Sequence, residues 1–337
     1  MKAQMFRVAW KWLPKFPRDA VIAASGVVAD AAWLANVASV QQLAKNLESF
    51  SGEAPSPQLV RQSVRAYFRA FAEQLTLPGW SEEQLLKACR YTGIENVQAL
   101  TEDGPVIVAL THSGNWDVAG AWFSQNIAPV LTVAEKLNPP DLFDSFVAFR
   151  ESLGMEIIGV GKGDHVFDQL VERAQGRQVL VPLLADRDIS GSGIEVQLGE
   201  KKALVAAGPA ALALKLGRPL IVGHLSHEKD EEGNWRVHAH FLGPIEPPAP
   251  KEGQNAVEAL TAAWVEAVAD LMADHLVDWH MMQKLFVEDL DPERLARARA
   301  RSERARKARL QSRVGAMPGD HVDYDDGSEA REREGDG

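Results

Sequence analysis

The chain has 337 residues, 46% of them hydrophobic and 25% charged, a balance that suits a folded globular protein with room for one large domain or two modest ones. A formal net charge of −11 argues against nucleic acid as a main partner, although part of that acidity sits in the last stretch, 319–337. The single Cys89 excludes an internal disulfide and, with no base organised around it in sequence, reads as an inert buried thiol.

Residues 1–50 read as helical. Phe6, Trp10, Leu13 and Phe16 recur near helical spacing with Lys2, Arg7, Lys11 and Lys15 around them. That pattern fits a helix lying on an anionic membrane surface and equally one that packs its aromatics into a core. No long apolar run or small-residue cleavage site follows the basic residues, so a secretory signal is not expected. Ala20 to Val40 is long enough to span a bilayer but is Ala-rich and contains Gly26, Asp30 and Asn36. Helices packed on the protein, with one face touching lipid, are expected there instead. A polar loop at 51–57 leads to a helix over Leu59–Leu77 with Val64, Phe68, Phe71 and Leu75 on one stripe. Pro78-Gly79 ends it, and Ser81-Glu82-Glu83 opens a short helix.

From Val97 to Gly243 strands and helices alternate. Strands are expected at Val106–Leu110, Val130–Ala134, Glu156–Val160, Val179–Leu184, Leu220–Leu225 and Val237–Leu242. Helices are expected near Trp116–Gln125, Pro140–Leu153, Asp164–Ala174 and Gly208–Leu216. The alternation predicts an α/β fold whose central sheet is covered by helices on both faces. Pro247 to Pro250 is a stiff linker, and Asn255 to His275 a long amphipathic helix that packs back on the sheet. Arg294 to Arg309 is basic and Ala-rich, a helix that either favours anionic lipid or is simply solvated; 319–337 is expected to be disordered. The expected organisation is one domain over 1–290, built from N-terminal helices 1–95, an α/β core 96–245 and C-terminal helices 253–290. A basic helix 291–313 and an acidic tail 314–337 follow.

The chemistry concentrates in His112-Ser113-Gly114-Asn115-Trp116-Asp117. The stretch follows the apolar run Pro105–Leu110, a strand buried on both faces, and precedes an apolar helix. In open α/β sheets ligands bind at that carboxyl edge. Gly114 allows close backbone approach to a ligand, and the helix start offers N–H donors to a developing negative charge. Histidine is the natural base near neutrality, and a carboxylate on its second ring nitrogen fixes the tautomer. Asp117 is the acid nearest in sequence. A serine elbow of the form G-x-S-x-G is missing around the strand ends. His238 and His240 share one face of a strand, but without a third ligand nearby they do not make a zinc site; His165, His224 and His227 read as core or surface residues.

Leu110 to Asp117, a histidine and an acid separated by four residues, resembles the acyltransferases that acylate glycolipids. That group includes the lipid A and the phosphatidylinositol mannoside acyltransferases. Ala134-Glu135-Lys136-Leu137, Phe149 to Glu156, Leu184-Ala185-Asp186-Arg187-Asp188, Gly208 to Ala213 and Asp278-Trp279-His280-Met281 resemble the mannoside branch, in family order. The resemblance implies a glycerolipid-acyltransferase-like fold with membrane-facing N-terminal helices, an actinobacterial setting and a peripheral place on the cytoplasmic face of the plasma membrane. It also implies acyl-CoA as donor, a mannosylated phosphatidylinositol as acceptor, and no cofactor or metal. The family's glutamate partner for the histidine matches Asp186, one methylene shorter, so Asp186 is expected to orient His112 while Asp117 holds the turn. Arg150 matches a family arginine near the reaction centre, either holding an anionic headgroup or paired with Glu151 or Glu135. Glu135, Lys136 and Arg187 fall on the substrate side, and His280 is expected to line the acceptor pocket. Leu276 stands where the family block has proline, and Gln197 and Leu198 stand where relatives carry aromatics. A lipid A-type enzyme using acyl carrier protein, a thioester or ester hydrolase, and a noncatalytic lipid carrier remain as alternatives.

Overall fold

Prolines decide where the N-terminal helices begin. Pro14 lies within the 3-10 turn Leu13–Lys15 and Pro17 caps the start of α1 (Arg18–Leu34), so the helical stretch expected over 1–50 is interrupted between Trp12 and Arg18. Asn36, at φ 45°, breaks α1 from α2 (Ala38–Ser51), and the two helices bend by 83°. The computed structural model describes residues 9–10, 12–136, 140–161, 165–189, 193–293, 295–297, 299–300 and 303–304; Lys2, Phe6, Arg7 and Lys11 lie outside them. The aromatic stripe is divided. Trp10 packs edge-on against Phe146 and Phe149 at 4.6 and 4.9 Å, whereas Trp12 and Phe16 are exposed. Among the described residues no single helix is long and apolar enough to cross a membrane; only the bent α1–α2 pair passes that test together.

α3 (Pro57–Thr76) starts with the Ser56 hydroxyl accepting the Leu59 N–H and with proline in its first turn. It ends in the 3-10 turn Leu77–Gly79. Asp30 of α1 accepts from both Arg61 and Arg65 of α3 at 2.7–2.9 Å, which clips the two helices together. α4 (Glu82–Leu86) carries a Ser81–Gln84 capping box.

The alternating part is β1 (Cys89–Thr92), α5 (Ile94–Glu102), β2 (Val106–Leu110), α6 (Trp116–Asn126), β3 (Val130–Glu135), α7 (Pro140–Ser152), β4 (Met155–Val160), α8 (Val166–Ala174), β5 (Leu180–Leu184), β6 (Ile194–Leu198), β7 (Lys201–Val205), α9 (Gly208–Leu216), β8 (Leu220–Lys229) and β9 (Trp235–Ile245). Seven strands form one sheet in the order β1-β9-β8-β2-β5-β3-β4, mostly parallel, with β9 antiparallel to β8. Apolar clusters fill both faces: Leu47, Leu212 and Trp264 on one, Val118, Phe123 and Val237 on the other. The expected covered α/β sheet is therefore present. The sequence reading missed β1, a four-residue strand with only Cys89 buried. It also missed the β6–β7 hairpin, whose turn glycine, Gly199 at φ 59°, lets Phe50 O approach to 2.1 Å of where a Cβ would stand.

The sheet forks at its centre. β5 meets β3 only at Leu180–Val130, and Leu180 N–H donates to Pro129 O at 2.9 Å. Two residues on, the next N–H on that side of β5 belongs to Pro182, which has none. The strands part there, bridged by Thr132 Oγ1 donating to Pro182 O at 2.6 Å.

α10 (Ala256–Asp274), capped by an Asn255–Glu258 box, packs back on the sheet. The chain then crosses the sheet edge through the 3-10 turn Leu276–Asp278, and Trp279 pairs with Ser113 in an isolated antiparallel bridge. The basic helix beyond 290 is docked at its start rather than free. Leu295 packs with Leu204 and Leu290, and Arg299 forks onto Glu195 of β6 at 2.6 and 3.1 Å. Residues 305–337, including the acidic tail, lie outside the described residues.

Candidate active site

β2 ends at Leu110 and α6 begins at Trp116, so His112 sits where the sequence puts it, at the carboxyl edge of the sheet. Asp186, just past β5, reaches it from the neighbouring strand. Its Oδ1 lies 2.5 Å from His112 Nδ1 and its Oδ2 accepts the His112 backbone N–H at 3.0 Å and the Trp279 indole N–H at 2.8 Å. Burial by itself would raise the Asp186 carboxyl; the charge of His112 and these hydrogen bonds hold it below the usual carboxylate range. With Nδ1 taken, Nε2 is the ring nitrogen available to a substrate. Three hydrogen bonds on a short arm also hold the acid at a fixed distance.

Asp117 does not touch His112. It is 3% exposed and pairs with Arg150 of α7, Nε to Oδ1 at 2.6 Å and Nη2 to Oδ2 at 3.2 Å, with Gln74 of α3 donating to Oδ2 as well. Arg150 is thus paired with Asp117 rather than with Glu151 or Glu135, and its fork is engaged by that carboxylate. Burial pulls the guanidinium down, and Asp117 more than offsets this. The pair ties the first turn of α6 to α7.

The helix start differs from expectation. Asn115 accepts the N–H groups of Asp117 and Val118, Gly114 N–H goes to Asp278 O at 3.0 Å, and Ser113 N–H to Thr111 O at 2.8 Å. These donors are taken by Asn115, Thr111 and Asp278, so they do not face a developing charge. The close approach that Gly114 permits is likewise to protein. At φ +53° a Cβ there would come within 2.6 Å of Leu225 Cβ on β8.

His280 is not on the cavity wall as expected. Its backbone N–H donates to His112 O at 2.7 Å and its Nε2 lies 2.9 Å from Gly114 O, with only 5% of the residue exposed. Burial drives its ring down to about 4, so it is neutral and donates from Nε2. The Asp278–His280 strap therefore clamps the loop from behind. Cys89 is buried, and burial pushes its thiol well up.

In front of His112 opens a cavity of about 680 Å³ that passes through the β3–β5 fork. Its walls are mainly apolar, with Phe123, Phe143, Phe146, Met155, Val166 and Phe241 among them. His112, Asp117, Arg150, Glu135 and Arg187 also line it, while Lys136 is exposed at the end of β3. Phe71, Phe167 and Ile189 are exposed and line the cavity at once, which makes its mouth apolar. Gln197 is exposed and Leu198 lies in the core beside Phe50, so the departures noted there are not on the cavity wall.

Sequence reasoning missed a second set of buried polar residues behind the loop. β8 was expected to stop at Leu225 but runs to Lys229, and the extra residues carry His227 into the fold. His227 Nδ1 lies 2.8 Å from Asp278 Oδ1 and its Nε2 3.0 Å from Glu73 Oε2. Burial would raise Glu73; His227 and Arg18 hold it down at about 2. Pro182, the proline inside an otherwise apolar strand, was the one visible signal for the fork.

A histidine steered by a buried aspartate, beside an apolar cavity at the sheet edge, suits transfer of a fatty acyl group, and acyltransferase is the class of protein this is. Residues 4–288 match the model of the bacterial lipid A biosynthesis acyltransferases, and the chain belongs to that family. A phosphatidylinositol mannoside acyltransferase of Mycolicibacterium smegmatis (strain ATCC 700084 / mc(2)155) is 32% identical over 297 residues, which cover 87% of this chain and 93% of the relative. Those of Mycobacterium tuberculosis strains CDC 1551 / Oshkosh and ATCC 25618 / H37Rv are 32% identical over 278 residues, 80% of this chain and 84% of each relative. The resemblance read from the motif blocks holds across most of the chain.

Proposed function

We propose that the protein moves a long-chain acyl group from acyl-CoA to a sugar hydroxyl of a phosphatidylinositol mannoside, with His112 as general base and no covalent acyl-enzyme. The observation that carries the reading is the Asp186–His112 pair at an apolar cavity. Nε2 takes the hydroxyl proton as the sugar oxygen bonds to the thioester carbonyl carbon. The tetrahedral intermediate then expels the CoA thiolate, which takes that proton from the imidazolium and leaves as thiol. The step balances without a resident cofactor. The acyl chain lies in the cavity, where burial contributes about 0.8 kcal/mol per methylene. Asp117 holds the turn through Arg150, and Arg187, Glu135 and Lys136 meet the polar parts of donor and acceptor. The mannoside acceptor rests on the mycobacterial relatives.

The protein would work peripherally on the cytoplasmic face of the plasma membrane. Exposed Trp12, which Lys15 stacks over, and exposed Phe16, Val27, Val28 and Leu34 support contact with an anionic surface. Purified protein is to be incubated with labelled acyl-CoA or acyl carrier protein donors and a panel of glycolipids on anionic vesicles. The expected outcome is vesicle binding and transfer to the mannoside, with transfer lost by about 10²–10⁴ in a folded His112→Ala variant. Near-wild-type transfer by that variant overturns the assignment of the base. Free fatty acid without acceptor would mark a hydrolase, carrier-protein donors with lipid A-like acceptors the lipid A-type reading, and lipid binding without turnover a carrier.

A further inference from the structure

Two histidine–aspartate pairs in this fold share one geometry. Asp186 holds His112 by the backbone N–H at 3.0 Å and by ring Nδ1 at 2.5 Å; Asp278 holds His227 by the backbone N–H at 3.0 Å and by Nδ1 at 2.8 Å. They differ at the other ring nitrogen. His112 lines the cavity, whereas His227 Nε2 is closed off by Glu73, and neither the His227 nor the Glu73 side chain has any exposed surface. Arg18 donates to Glu73 Oε1 at 2.5 Å, and Arg69 stands 3.7 Å from Asp278 Oδ1.

The second pair is joined to the first at three points. Gly114 N–H donates to Asp278 O at 3.0 Å and Asn115 Nδ2 to Glu73 Oε2 at 3.0 Å; Trp279, the residue after Asp278, donates to Asp186 Oδ2 at 2.8 Å. A buried ion network is a poor source of stability, since well-packed apolar side chains serve as well or better. What such a network adds is a fixed arrangement, and this one is fixed onto the loop that carries His112.

We propose that Glu73, His227 and Asp278 are positioning residues that set the alignment of His112 with Asp186, acting through Gly114, Asn115 and Trp279. The inference rests on the reading of His112 as base. None of the three lines the cavity, so their effect is on geometry. Loosening them lets Asp186 drift from His112, and the imidazolium formed during transfer loses part of its support. The acid limb of the kcat/KM profile, which reports protonation of the base in the free enzyme, then moves to lower pH.

The test uses the full chain with Glu73→Gln and His227→Gln, and His112→Ala beside them. The expected result is a kcat lowered by about 10–100-fold, the range typical of outer-shell partners, with KM for the labelled acyl donor little changed and the acid limb displaced downward. A lower thermal midpoint with unchanged kcat per folded molecule and an unmoved profile overturns the proposal, because that is what a purely structural role gives. Transfer retained in His112→Ala overturns the base assignment and this inference with it; loss there with unaltered glutamine variants overturns this inference alone. Where neither glutamine variant folds, Trp279→Phe carries the test. The same displacement is expected, and an unmoved profile is again decisive against it.

Discussion

An aspartate reaches His112 because the loop comes to meet it. Asp186 accepts the backbone N–H of the histidine as well as its ring, so the arm that is a methylene shorter than glutamate still closes the distance. Gly114 makes this possible. Its left-handed φ of +53° turns the chain between β2 and α6, and its missing side chain leaves room for Leu225. Gly114→Ala is expected to cost more than about 1 kcal/mol, because the φ is strained for alanine and the Cβ collides with a strand. The same variant is expected to lower transfer, since His280 and Asp278 grip the loop at Gly114. Thermal melts and initial rates check this, and a variant with unchanged midpoint and rate would show that the turn tolerates a side chain.

At the scale of elements, the cavity exists because β3 and β5 separate, and they separate at Pro182. Restoring an N–H at that position, as in Pro182→Val, allows another ladder bond between the strands and narrows the fork. The donor profile should then shift toward shorter acyl chains. Each methylene excluded forfeits about 0.8 kcal/mol, roughly fourfold in relative kcat/KM. Rates across a series of donors measure the shift, and an unaltered preference would place the chain outside the fork. The strap after α10 has the opposite task. Its bridge to Ser113 and its bonds to His112 and Gly114 join the end of the fold to the loop near its middle.

Over the whole molecule, buried histidines set the response to acid. Burial drives His224 to about 3 and His240 and His280 to about 4, with neighbouring histidines adding to each. Unfolded histidine titrates near 6.5, so between about pH 6.5 and 4 the unfolded chain takes up protons that the fold refuses, and stability falls as pH drops. His227 runs the other way. Burial pulls it down but Glu73 and Asp278 raise it, so its contribution is full below about pH 6.5 and is lost as pH rises through its folded value. Glu73, held near 2, and Asp186 and Asp278, also lowered, contribute above about pH 4 and lose that contribution as pH falls through their folded values. The thermal midpoint is therefore expected to fall from pH 6.5 to 5, before the carboxylates titrate. A midpoint that stays level over that interval would contradict the burial of these rings as neutral groups.

Local pattern determined the alternating core and the place of His112 at the end of an apolar strand, and the resemblance to the acyltransferase blocks supplied the choice of Asp186. Those features follow from periodicity, from turn residues and from a motif whose members are close in sequence or matched block by block. Only the tertiary structure decided that Asp117 belongs to Arg150 and that His280 is a clamp, because these depend on partners 33 and 166 residues away. The cavity and the Glu73–His227–Asp278 set fall on the same side. A fork between strands and a histidine shared by two buried acids arise where separate segments meet, and no single segment carries the pattern.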